Sequence, residues 1–495
     1  MELRRRVVAL ASAGAVVGSL ATGFAFATVV AAGSSDSGVT FSSQPGVATL
    51  LAHYSVSPAG HVGSDISDEE SQTVALAPKH GGKDATTDLS AGARSDNTVA
   101  EPRGSESESH GASFIGQQAS AKCSTHPGTC SQGGRWASRG NVYEFDMSLG
   151  QPFIADYTQL GINGQAVYFS ANMFEANPPF NFAYAELFEA NKAKMERGEG
   201  DFTADGFFNL RANGPGLNAT TGPFLADTVN PALNIDRSAE GTEVFVDTLD
   251  GPDPVSGHGC TSAADSCKGL ILWKMTNPVG HDRGGSAPVL TGTYVPNIKP
   301  YVFSPAADQP SCNACIDALD LRVTATPVVR DGNVYAAWET AINNGNQIVP
   351  GIEWAQVRIA NAGAENSAES GYYNFSGDTA VSFPALMPDG KGNLVMLFDL
   401  MSHNVFPQTR FVIRDGNGQF TGQGVLIKAG ESSYRPQLCG VAIPVCRWGD
   451  YSASSFDGQG GIWVAGEYAN HYDGLNTAPA FGRNWGTWIA SVSAG

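Results

Sequence analysis

The chain lacks the common catalytic signatures. It contains no His-Glu-x-x-His, no Gly-x-Ser-x-Gly, no P-loop and no Gly-x-Gly-x-x-Gly, so no motif points to a zincin, an α/β-hydrolase, a P-loop enzyme or a dinucleotide-dependent dehydrogenase. Positive charge is scarce: 29 Lys and Arg face 48 Asp and Glu, for a net charge of −19. So acidic a chain argues against nucleic acid and anionic lipid surfaces as partners. Histidine is scarce too. Of nine, five (His53, His61, His80, His110, His126) are scattered before Gly134, and His258, His281, His403 and His471 lie far apart, so nothing in their spacing favours a Ser-His-Asp triad or a multi-histidine metal centre. Long amphipathic helices are missing. Ala185 to Arg197 is the single good helical candidate, and the mildly apolar Val47 to Tyr54 reads as a short helix.

What is present begins with Met-Glu-Leu-Arg-Arg-Arg, followed by 26 uncharged residues from Val7 to Ala32. A basic start before such a stretch reads as an export signal over 1–32, with Ala25-Phe26-Ala27 and Val30-Ala31-Ala32 as cleavage triplets. The stretch is also long enough to span a bilayer uncleaved. Gly, Ala, Ser and Thr dilute its hydrophobicity, so secretion is the expectation and a cell-surface anchor the alternative.

The cysteines fit an oxidising compartment. All eight fall into local pairs: Cys123 with Cys130, Cys260 with Cys267, Cys312 with Cys315 and Cys439 with Cys446. Nearest-neighbour pairing is the economical reading. Loops so short gain only about 2–2.5 kcal/mol each from closure, so the staples fix loops and the fold rests on its core. Cys312-Asn-Ala-Cys315 lacks the strand-then-helix context of a redox motif and the second pair of a zinc ribbon, and reads as a tied loop.

Residues 33–134 are rich in Ser, Gly, Ala and Thr without sustained periodicity, the composition of a disordered tether. From 135 to 495 short runs of Val, Ile, Phe, Tyr and Trp alternate with Asp-Gly, Asn-Gly and Gly-Gly turns, which predicts an all-β domain. An internal repeat selects among sandwich, barrel and propeller. Asp156-Tyr157 to Phe174 matches Asp450-Tyr451 to Tyr468, each with Asp-Tyr, a strand, a Gly-rich turn and an aromatic strand. Weaker copies run Pro231 to Asp247, Thr326 to Trp338 and Pro384 to Phe398. Their turn residues Asn163, Asp236, Asp331, Asp389 and Asp457 are spaced by 73, 95, 58 and 68 residues. One unit repeated at irregular spacing predicts a β-propeller of four-stranded blades with inserted loops. Five copies are visible, and the 95-residue gap has room for a sixth. Only three strands follow Asp450, so a strand near Arg135 to Asp146 is expected to complete the last blade.

Arg447-Trp448-Gly449-Asp450-Tyr451-Ser452, Ile462-Trp463 to Tyr468 and Asn484-Trp485 to Ile489 resemble a group of uncharacterised secreted bacterial propellers of the sialidase-like, Asp-box class. That resemblance covers about 135–495 and implies the fold. The Asp-box pattern is met only by Ser455-Phe-Asp457 to Trp463, one residue too long, and no arginine triad or Tyr-Glu nucleophile pair can be placed, so sialidase activity is disfavoured.

Carboxylates are the best catalytic candidates. Asp156 and Asp450 occupy equivalent repeat positions and would meet near the axis if the first and last blades are neighbours, where two acids could serve glycoside hydrolysis. Glu339, Asp399 and Glu467 follow apolar strands in successive copies. For all of them, repetition with the fold favours an architectural role. Tyr157, Tyr451, Trp448, Phe180 and Phe182 are candidate ligand-binding aromatics, the last two beside Asn-Pro-Pro. No cofactor is expected; Asp247, Asp250 and Asp253 could hold calcium, although a solvated acidic turn fits their spacing better. The expectation is a monomeric, non-catalytic propeller presenting loops to a carbohydrate or protein ligand, and the alternative is a carbohydrate-active hydrolase or lyase with axial carboxylates.

Overall fold

The computed structural model describes residues 147–148, 152–197, 202–208, 210–212, 224–236, 241–249, 260–319, 321–345, 347–415, 417–434, 445–456, 461–471 and 484–492, together with strands within 47–62, 93–95 and 140–143. The described residues are nearly all β. Beside the strands stand one short helix, Lys192–Arg197, and three 3-10 turns.

The strands follow one another as antiparallel meanders. The first runs Phe153–Ile162, Ala166–Glu175, Phe182–Asn191 and Phe202–Phe208, with Leu50–Val56 added outside. The second runs Asn230–Pro231, Thr242–Thr248, Leu270–Thr276 and Val289–Val295, with Val47–Ala48 outside. The third is Val328–Arg330, Asn333–Asn343, Ile348–Arg358 and Ala368–Tyr373. The fourth is Ala380–Pro388, Leu394–Ser402, Val405–Ile413 and Val425–Lys428. The last has Ala453–Phe456, Ile462–Ala469 and Trp485–Val492. Every copy of the sequence repeat falls on the two inner strands of a meander.

Local chemistry accounts for the turns. Asp331 and Gly332 take φ of 51° and 72° in the two-residue loop between Arg330 and Asn333, the backbone that Asp-Gly favours in a hairpin. Asn163 Oδ1 accepts the N–H groups of Gln165 and Ala166, and Asp389 Oδ1 those of Lys391 and Asn393. Both Ala380–Pro388 and Leu394–Ser402 are buried at every position, as expected of strands covered on both faces, and their sequences read as nearly continuous apolar runs.

The inner strands converge. Ile162, Leu233, Val328, Met387 and Phe456, one from each meander in turn, belong to a single apolar cluster, the arrangement of a β-propeller. Leu233–Asn234 pairs in parallel with both the first and third inner strands, and a Cβ on Gly161 would lie 2.5 Å from the Ala232 carbonyl oxygen. Only glycine permits that approach. Farther from the axis, Trp273, Trp338 and Trp354 are fully buried between the sheets.

Polar groups stitch each second strand to the next meander. Asn172 Nδ2 donates to Asp227 Oδ1 at 2.7 Å and Thr228 Oγ1 at 2.8 Å. Thr248 Oγ1 donates to the Leu321 carbonyl at 2.8 Å. Glu339 accepts the Phe383 backbone N–H, and Asp399 accepts Trp448 Nε1 at 2.9 Å. Buried polar atoms that are paired in this way fix the angle between sheets as well as their contact.

Three local expectations are corrected. Phe182–Asn191 is strand, paired on both sides, and only Lys192–Arg197 is helical; cross-strand pairing overrides the helical propensity of Ala185-Glu-Leu-Phe-Glu-Ala. The segment near Val47 to Tyr54 is strand as well, in Val47–Ala48 and Leu50–Val56. Gly140–Tyr143 pairs with Pro58–Val62, and it is Ala93–Ser95 that lies beside Trp485–Val492.

The expected staples divide in the same way. Cys260–Cys267 and Cys312–Cys315 are bonded locally, and Cys446 is also in a disulfide. The expected bridge between Cys123 and Cys130 lies outside the described residues, because neither Cys123 nor Cys130 is among them. The export signal, Cys439 and Asp457 also lie outside the described residues.

Candidate functional site

The site is built where the inner strands begin. A bulge between Asp156 and Gln159 gives Tyr157 a φ of 51°, and the matching bulge between Ser382 and Ala385 gives Phe383 a φ of 51°. Asp450 enters the last inner strand at φ 66°. Left-handed backbone at a residue other than glycine costs on the order of 1–3 kcal/mol and persists where packing over-determines it. The packing is visible. Tyr157 stacks on Tyr451 with centroids 5.3 Å apart and planes 22° apart, and the Arg322 guanidinium lies 4.6 Å from the Tyr157 centroid. Gly449 rests on the Phe383 ring, where a Cβ would approach within 2.5 Å.

The first and last meanders meet here, as the two Asp-Tyr copies suggest. Tyr157 Oη donates to the Asp450 carbonyl at 3.5 Å. Asp450 forms an ion pair with Arg447. Burial works to lower the Arg447 pKa, but Asp450, Asp317 and Asp156 outweigh it and hold the guanidinium above its usual range. Asp156 is exposed, and its cross-strand partner is Asn172, which clamps Asp227. Asn172 thus links two acids on adjacent meanders, Asp156 through strand pairing and Asp227 through its amide. Sequence reasoning missed Asp227, Asp317, Arg322 and Arg447, which sit in irregular segments outside the repeat. The Asn172 clamp is a contact between meanders that no local pattern encodes.

The other candidates separate by burial. Trp448 is 2% exposed and packs edge-on against Tyr434, so it is a core post and is corrected as a ligand-binding residue. Tyr157 and Tyr451 are buried as well, their ring faces committed to each other and to Arg322; they frame the site. Glu339 is wholly buried. Asp399 is pushed well above the usual carboxylate range by burial, against the bonds from Trp448 and Thr409. Both serve as stitches. Glu467 is half-buried in Ile462–Ala469. Phe180 and Phe182 are half-buried in the hairpin after Glu175, where Phe182 packs on Phe174 at 5.7 Å. The hairpin stands at the Asp156 end of the first meander, since Phe174 is two residues beyond Asn172. Asp247 Oδ2 accepts Trp273 Nε1, while Asp250 and Asp253 lie outside the described residues. Among the described residues no group of three His, Cys, Asp or Glu side chains is arranged to hold a metal ion, and no helix is long and apolar enough to cross a membrane.

No protein family and no curated protein matches the chain. Several solved structures align with about two thirds of the chain. An endo-arabinase from Bacteroides thetaiotaomicron matches at 11% identity and a TM-score of 0.30, covering 69% of this chain and 93% of its own. A family 117 glycoside hydrolase from Zobellia galactanivorans matches at 13% identity and 0.31, over 70% and 87%. An enzyme from Xanthomonas citri, complexed with xylotriose, matches at 10% identity and 0.29, over 68% and 88%. By name these proteins are an endo-arabinase, a glycoside hydrolase and an enzyme bound to xylotriose, which runs against the expected non-catalytic binding module and with its alternative. The sialidase-like class is not among them. At such scores they decide nothing about the reaction, which has to be argued from this chain's own side chains.

Proposed function

We propose that the chain is a secreted, five-bladed β-propeller that acts as a carbohydrate-active hydrolase at the axial mouth. The observation that carries this reading is the exposed Asp156 paired across the strands with Asn172, whose buried amide holds Asp227, with Arg447 ion-paired to Asp450 and its charge sustained by Asp317 and Asp156. Hydrolysis of a glycosidic bond needs one acid to protonate the leaving oxygen and one carboxylate to activate water or attack the sugar. Asp156, open to solvent and facing the Arg447 charge, is assigned the base, and Asp227, oriented by Asn172, the acid. Tyr157 and Tyr451 form a rigid aromatic wall, and the Phe180 hairpin offers an apolar edge for a sugar ring. The carbohydrate ligand expected from the sequence becomes a substrate in this reading.

Purified protein incubated with neutral and acidic oligosaccharides, with reducing ends counted, tests it. Asp156→Asn and Asp227→Asn should each lower kcat by roughly 10²–10⁴-fold, with the thermal midpoint of Asp156→Asn unchanged. Turnover equal to wild type in both variants, or no cleavage of any glycan, would falsify the assignment.

A further inference from the structure

Arg447 is not carried by any meander. It follows Cys446, and Cys446 is hydrogen-bonded to another disulfide-tied segment: its N–H donates to the Cys315 carbonyl at 2.6 Å, and its carbonyl accepts the Asp317 N–H at 2.8 Å. Ile316 and Cys446 thus form a parallel bridge. Cys312–Cys315 is a bond within the strand Cys312–Ile316, which pairs with Ala307–Gln309, and Cys446 is itself disulfide-bonded. Gln309 ties the two together through Tyr434, donating Nε2 to its carbonyl at 2.8 Å and accepting its N–H at 2.7 Å. Cys315, Ile316, Tyr434, Cys446 and Trp448 are all buried in one cluster with Phe383. The result is a cystine-tied cap over the fourth and fifth meanders at the mouth end, and the residues leaving its two strands are Asp317 and Arg447.

We infer that this cap is the positioning element of the site: the Cys312–Cys315 hairpin acts through Arg447, setting where its guanidinium stands relative to Asp156 and Asp450. The inference rests on the hydrolase reading for its effect on rate, but not for its effect on structure. A polar donor removed from a site of developing charge costs on the order of 10²-fold in rate, and a shift of about 1 Å costs a similar factor. The hairpin lies outside the inner strands, so its loss should displace Arg447 without dissolving the propeller.

The experiment is a double-variant cycle on the full chain with C312S/C315S, R447Q and their combination. R447Q is expected to lower kcat about 10²-fold, C312S/C315S about 10-fold, and the combination no more than R447Q alone, because the cap works through a group already removed. Arg447→Lys should restore part of the rate. Multiplicative losses overturn the inference, as does an Arg447→Lys variant no faster than R447Q. Amide hydrogen exchange reads the same placement without substrate. In C312S/C315S, exchange at 445–451 and 315–319 should rise together while 394–402 stays protected. Unchanged exchange at 445–451 overturns the inference whether or not any glycan is cleaved, whereas raised exchange without turnover leaves the cap in place and removes the hydrolase reading.

Discussion

Replacing Glu189 by glutamine should flatten the dependence of stability on pH. Glu189 is 1% exposed in Phe182–Asn191. Burial raises its carboxyl well above the usual 4.5, Asp205 adds to the rise, and the Val279 N–H, donating at 2.7 Å, and the Arg283 charge oppose it. His281 Nδ1 lies 3.0 Å from the far side of Asp205, and Tyr168 stands near Glu189 within the first meander. A carboxyl whose pKa rises on folding contributes stability that is complete below about pH 4.5 and is lost as pH climbs through the folded value. Each pH unit in that window corresponds to about 1.4 kcal/mol. Glutamine preserves the volume and an oxygen for Val279 but has no proton to lose. Urea unfolding of wild type and Glu189→Gln, from about pH 4.5 to about pH 7.5, isolates this one group. Glu243, Glu353 and Asp399 are raised in the same direction by burial, so both proteins keep a slope and the difference is what is read. The gap should widen toward higher pH in favour of the variant, by up to about 1.4 kcal/mol per unit. Parallel curves would refute the assignment of a proton to the folded-state carboxyl.

Three further outcomes are expected. Trp448→Phe removes the Nε1 donor from buried Asp399 and should cost about 1–3 kcal/mol in urea unfolding; an unchanged midpoint would mean that Asp399 finds another donor. Gly161→Ala drives a methyl group against the Ala232 carbonyl and the Pro231 ring, so about 1–3 kcal/mol should be lost, checked by the same assay. Non-reducing peptide mapping should recover Cys260 with Cys267 and Cys312 with Cys315, and a bridge joining these loops to each other would contradict the local-staple reading.

The repeat was legible because each copy is an inner hairpin, and hairpins write themselves locally: a β-rich run, a turn residue such as Asn163 or Asp331, and a second run. Outer strands left weaker marks. Ala93–Ser95 is three residues long within a Ser- and Gly-rich segment, too short for any period to show, so the expected partner of the last meander was sought near Gly140 instead. Phe182–Asn191 misled in the opposite sense, since Ala, Glu, Leu and Phe at those positions suit a helix until strands pair on both edges. The site was only half legible. Asp156-Tyr157 and Asp450-Tyr451 announced themselves by matching, whereas Asp227 and Arg447 are placed by contacts 55 residues away through Asn172 and 131 away through Cys315.

Repetition then separates architecture from chemistry. Residues that recur at the same place in successive meanders, such as Glu339 and Asp399, face the same neighbour each time, a donor from the next sheet, and their burial holds them to that one task. A catalytic group has to break the pattern, because a reaction occurs at one place on a ring whose symmetry offers several. Asp227 breaks it by offering a carboxylate to Asn172 where the second meander meets the Leu321 carbonyl and the third the Phe383 N–H, and Arg447 breaks it by arriving on a disulfide-tied segment outside the meanders. Asp156 is the informative case, since it shares its position with Asp450 yet differs in fate: Asp450 is ion-paired with Arg447, while Asp156 stays open to solvent. The same residue type at the same repeat position is therefore given two environments by what the neighbouring meanders supply, and it is that divergence, more than the presence of either carboxylate, on which the proposed role of Asp156 rests.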